Sequence, residues 1–120
     1  MIHKIGSVKD LNSIPNMDKE ARKIILEFAN VLTQEYGEDR DIDKDYGGYV
    51  LYAEPGTSID EVKSVFDYTK HTLEFIERSF TKPYIYTMLY LTSCEYGVVI
   101  VMYEEDAPDE FKKLCKECDL

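Results

Sequence analysis

Hydrophobic positions crowd most densely between Pro83 and Tyr103, PYIYTMLYLTSCEYGVVIVMY. β-Branched and aromatic residues dominate this stretch and Gly97 interrupts it, which is the pattern of a β-hairpin. Alternation puts Tyr84, Tyr86, Met88 and Tyr90 on one face of the first arm, with Ile85, Leu89 and Leu91 on the other. On the second arm Val98, Ile100 and Met102 oppose Val99, Val101 and Tyr103. Because both faces of both arms are apolar, the arms are predicted as central strands, covered by helices on at least one side. Ser93-Cys94-Glu95-Tyr96-Gly97 is predicted as the turn, with Gly97 free to take a positive φ.

The other periodic segments are shorter. Ile2 to Ile5 reads as a short edge strand, and Ser7 and Asp10 as the cap of one helical turn, in a loosely packed arm over residues 1–15. Asn16 is placed to cap a helix whose stripe is Ala21, Ile24, Ile25, Phe28, Leu32 and Tyr36, stopped by Gly37. Tyr49 to Ala53 is a strand bounded by Gly47-Gly48 and Pro55-Gly56. Ser58 to Glu61 is a capping box opening a helix with Ile59, Val62, Val65 and Phe66 as its buried face. Two readings of residues 71–79 stay open: the helix runs on toward Pro83, or a further strand begins. The threonines and aromatic residues favour the strand. Pro108 suits the first turn of a closing helix with Phe111, Leu114 and Cys115 as its stripe.

This order predicts one α+β domain over residues 1–120, with a mostly antiparallel sheet of about four strands packed against two or three helices. A chain of 120 residues with 44% hydrophobic and 12% aromatic residues supports one core and argues against disorder. No run approaches the roughly 18 apolar residues of a membrane span. The N-terminal residues lack the apolar stretch of a signal peptide, so a cytoplasmic protein is expected.

The net charge of −10 changes the picture more than composition does. It disfavours direct contact with nucleic acid or an anionic membrane; it suits a basic protein partner, although solubility is the commoner reason for an acidic surface. The acids are unevenly spread: residues 35–61 hold nine against two bases, and residues 104–119 hold seven against three.

Candidate chemistry is sparse. Asp41, Asp43 and Asp45 alternate as in a calcium loop, but the glycine and the bidentate glutamate positions are Tyr46 and Tyr52, so the register fails and no metal is expected. Cys115 and Cys118 form a C-x-x-C at the far end of a predicted helix, where the dipole opposes a thiolate. Three cysteines give neither a disulfide framework nor a complete zinc set. Cys94 with His71 is the one nucleophile–base combination available to a thiol enzyme. Gly56-Thr57-Ser58 at a helix start is flanked by acids and reads as capping rather than phosphate binding. No cofactor motif is present.

Three segments, GGYVLYAEPGT (Gly47–Thr57), FDYTKHTLEF (Phe66–Phe75) and EYGVVIVMYEEDAP (Glu95–Pro108), carry a resemblance. Over about the C-terminal two-thirds, the chain resembles a group of small, acidic, functionally uncharacterised cytoplasmic proteins of Gram-positive bacteria. The resemblance implies a bacterial protein of the kind carried on mobile elements and transfers no functional residue.

The expected function is a non-enzymatic protein-binding module, in its sharper forms an immunity-type inhibitor of a basic nuclease or an antirestriction protein mimicking DNA charge. Its expected contact residues are Glu38, Asp39, Asp41, Asp43, Asp45, Tyr46, Tyr49 and Tyr52, since tyrosine is amphipathic and loses little rotamer entropy, although for any one strand tyrosine a sheet face half covered by a helix is the commoner setting. The alternatives are the thiol enzyme and a structural protein that pairs with a second copy through a sheet edge.

Overall fold

Five strands share one sheet in the spatial order β1-β2-β5-β4-β3. The structure is a computed structural model that describes residues 1–42, 47–67, 73–81, 84–91 and 96–109. Along the chain come β1 (Ile2–Ile5), α1 (Val8–Asn12), α2 (Lys19–Tyr36), β2 (Tyr49–Ala53), α3 (Ile59–Val65), β3 (Leu73–Thr81), β4 (Tyr84–Leu91) and β5 (Tyr96–Tyr103), followed by a 3-10 turn, Glu104–Asp106. The class is α+β and the sheet mostly antiparallel, as expected. The strand count rises from about four to five because β1 pairs antiparallel with β2. The strand reading of the segment before the hairpin is the one found, over Leu73–Thr81. The closing helix expected after Pro108 falls largely outside the described residues.

The hairpin forms in the register Tyr84↔Tyr103 through Leu91↔Tyr96. Gly97 lies within β5 opposite Tyr90, not in the turn. Its backbone is closely approached by Gly48, on which a side chain would collide with the Gly97 carbonyl oxygen. That contact sits where β2 starts to run alongside β5, in parallel, from Tyr49↔Val98 to Tyr52↔Val101. Both strands are buried on both faces, as parallel pairing demands.

Each face has its own core. On one, Tyr49, Leu51, Ala53, Val98, Ile100 and Met102 meet Val62 and Phe66 from the α3 segment. Val65, expected on the buried stripe of α3, is instead 41% exposed, because the helix ends there and Phe66 turns back in extended backbone to fill the core. On the other face α2 covers Val50, Tyr52, Val99, Val101 and Tyr84 with Ala21, Ile24, Ile25 and Ala29. Phe28 adds an edge-to-face contact with Tyr86 at 5.1 Å. Tyr36, last on the expected stripe, is exposed and carries the Arg40 guanidinium over its ring at 4.4 Å.

Residues 1–15 are stitched into this fold rather than standing off as a loose arm. Ile5 and Leu11 are fully buried, and the Val8 N–H donates to Thr33 Oγ1 of α2 at 2.8 Å. Ser7 caps α1 by accepting from the Asp10 N–H, and Asp10 in turn accepts from the Gly6 N–H at 2.9 Å. The cap of α2 is Asp18, whose carboxylate accepts from the N–H groups of Glu20 and Ala21. Asn16, the residue expected there, adopts φ 56° two positions earlier and turns the chain into the helix.

Candidate functional site

Parallel pairing has a chemical consequence. It brings the C-terminal ends of β2 and β5 to the same end of the sheet, so Glu54 and the Glu104–Asp106 turn emerge side by side. Glu54-Pro55-Gly56-Thr57 is a tight turn with Gly56 at φ 90° and the Thr57 N–H donating to the Glu54 carbonyl at 3.0 Å. The free Gly56 N–H donates to Asp106 Oδ2 at 2.7 Å, locking the two segments together. Asp60 and Glu61, in the first turn of α3, lie just beyond. Residues 54–61 and 104–106 hold six carboxylates and neither lysine nor arginine.

A recess of about 300 Å³ opens at this end, lined by Asn16, Met17, Asp18, Tyr52, Glu54, Pro55 and Tyr84. Three distant segments build it: the α1–α2 connection, the end of β2 and the start of β4. Tyr52 and Tyr84 are each 2% exposed, and their rings tilt at 55° with centroids 6.4 Å apart. His3, opposite Tyr52 in the β1–β2 register, stacks on its ring at 5.9 Å and meets Glu54 Oε1 through Nε2 at 2.9 Å. Burial pushes the Tyr84 phenol well above its ordinary value, and hydrogen bonding to Tyr52 and to Asp18 pushes it further. Burial also raises Tyr52, while hydrogen bonding from Tyr84 pulls the other way. Both phenols are therefore neutral at physiological pH. The lining has no serine, threonine, cysteine or lysine, and the polar groups at the recess are the Asp18 and Glu54 carboxylates, the Asn16 amide and the two phenols.

The expected contact residues separate into three groups. Glu38, Asp39 and Asp41 are exposed, at the opposite end of the sheet, where β2 begins. Arg40 between them turns inward and donates to the carbonyls of Gly6 and Gly48, and Asp39 pairs with Lys9 at 2.9 Å. Tyr49 and Tyr52 are buried, at 6% and 2% exposure, so neither is a surface contact; β2 is an inner strand and its tyrosines are core. Asp43, Asp45 and Tyr46 lie outside the described residues, as do His71, Cys94, Cys115 and Cys118. Among the described residues no three His, Cys, Asp or Glu side chains gather as a metal site, and no helix is long and apolar enough to cross a membrane.

The acidic run that looks continuous from residue 35 to residue 61 is thus divided between two ends of the molecule by β2. Sequence reasoning missed both the joining of Glu54 to Glu104–Asp106 and the recess beside them. The E-P-G-T turn was the visible signal for part of it.

No protein-family model matches the chain, and no curated protein or solved structure matches it.

Proposed function

We propose that this chain is a non-enzymatic binding module that meets a basic protein partner through the acidic end of its sheet, at Glu54, Asp60, Glu61, Glu104, Glu105 and Asp106. The observation that carries the reading is the hydrogen bond from Gly56 to Asp106, which fixes two acidic segments, fifty residues apart in sequence, as one surface. A concentrated field of one sign speeds encounter with a partner of the opposite sign and penalises the wrong ones. The Glu38–Asp41 end is a weaker candidate: its three described carboxylates share Arg40 and Lys9, whereas the six at the other end meet the Met1 ammonium, 3.9 Å from Glu61, and His3, at Glu54.

The test is affinity capture from the native host with three baits: the wild-type chain, Asp60→Lys/Glu104→Lys/Glu105→Lys, and Glu38→Lys/Asp39→Lys. A basic protein held by the first and third baits, and lost from the second, supports the reading. Capture that is indifferent to the first set of reversals removes it.

A further inference from the structure

Resting on that reading, we propose that the recess between Asn16–Asp18, Tyr52–Pro55 and Tyr84 is an anchor pocket for one lysine or arginine side chain presented by the partner.

Size is the first argument. Pockets for drug-sized ligands or cofactors run from roughly 300 to 1,000 Å³. A recess of about 300 Å³ is at the bottom of that range and suits a single extended side chain. The lining has the right order for such a chain. Met17 and Pro55 offer apolar surface to a methylene stem, over a floor of Tyr52 and Tyr84, which are each only 2% exposed. Asp18 and Glu54 offer carboxylates, and Asn16 an amide, to the N–H donors of an ammonium or guanidinium.

An anion is a poor alternative occupant. The amino end of α2 faces the recess, but Asp18 already takes the N–H groups of Glu20 and Ala21, leaving carboxylate rather than open backbone at that edge.

The walls are also set in advance. Tyr52 and Tyr84 are locked in the core, and His3 holds Glu54 through Nε2. Asn16 has φ 56°, a left-handed backbone that asparagine takes more readily than most residues other than glycine. A pocket organised before binding loses less entropy when it is filled. Buried interface anchors are often arginine for the same geometric reasons.

The experiment is an aromatic ¹H–¹³C NMR titration of the full chain with N-acetyl-lysinamide and N-acetyl-argininamide, with the Nε-acetylated lysinamide as a neutral probe and sodium chloride as an ionic-strength control. The expected result is a saturable shift of the Tyr52 and Tyr84 ring signals by the cationic amides. The neutral probe and the charge-removing variants Asp18→Asn and Glu54→Gln should bind about tenfold more weakly, the loss expected for a charge-assisted hydrogen bond. Asn remains a good helix cap, so Asp18→Asn tests charge without unseating α2. Shifts that do not saturate, or that the neutral probe or salt alone reproduces, overturn the proposal. If the amides fail while the triple reversal still abolishes capture, the anchor pocket falls and the acidic-end reading stands. If the amides saturate the recess while no bait retains a charge-dependent partner, the recess stands as a cation site and the partner reading falls.

Discussion

The Asp106 carboxylate and the Gly56 N–H lie 2.7 Å apart, and through them the turn after β5 holds the turn after β2. Asp106→Ala is expected to cost about 1 kcal/mol, as for an ordinary hydrogen bond near solvent. Urea unfolding should show a lower midpoint at unchanged slope, since the surface exposed on unfolding is the same.

The turn itself is tested at Gly56. A methyl group there meets nothing within 4 Å, but the backbone sits at φ 90°. Gly56→Ala should therefore destabilise by about 1–2 kcal/mol through conformation alone. A loss near zero in chemical denaturation would show that the turn rearranges freely.

Gly48→Ala fails for a different reason. The added carbon would strike the Gly97 carbonyl oxygen, which is backbone and cannot rotate away. Loss of more than about 3 kcal/mol, or loss of the cooperative thermal transition, is expected, in the range where only a few mechanisms such as overpacking operate.

The buried phenols predict alkaline behaviour. Tyr84 and Tyr52 are raised above their ordinary value of 10.0 mainly by burial, so the folded chain holds their protons more tightly than the unfolded chain does. Their contribution is complete below pH 10 and is lost as pH climbs from there through the folded-state values. Unfolding free energy measured against pH should fall above pH 10, and Tyr84→Phe should flatten that fall more than Tyr52→Phe.

Val62 and Val65 sit three positions apart on what the spacing makes one stripe, yet only Val62 is buried. Val62→Ala should cost about 1–3 kcal/mol, and Val65→Ala should stay within about 0.5 kcal/mol of the wild type. Thermal melts of the two variants decide whether α3 ends at Val65.

These contrasts show what was legible in the sequence. The hairpin was, because Ile85, Ile100 and Val101 belong to runs apolar on both faces, and only an interior strand tolerates that. The cap of α3 was, because Ser58 and Glu61 have the spacing that the end of a helix requires. Asn16 and Asp18 are both good caps, and composition alone does not choose between two such residues two positions apart. The backbone chooses, since Asn16 is spent on the left-handed turn. The partner of β2 was not legible, because alternation says which face a residue takes and not which strand lies beside it. A parallel neighbour reached only after α3, β3 and β4 leaves no local trace. For the same reason alternation left Tyr49 and Tyr52 open between a contact face and a covered sheet face, and the recess, drawn from three separate segments, had no motif of its own.

The β2–β5 register is the premise of the acidic end, and cross-strand nuclear Overhauser effects measure it directly. The account predicts backbone contacts joining Tyr49 to Val98 and Tyr52 to Val101. Contacts joining Tyr49 to Val101 and Tyr52 to Val98 would mean antiparallel strands, would send Glu54 and Glu104 to opposite ends of the sheet, and would contradict it.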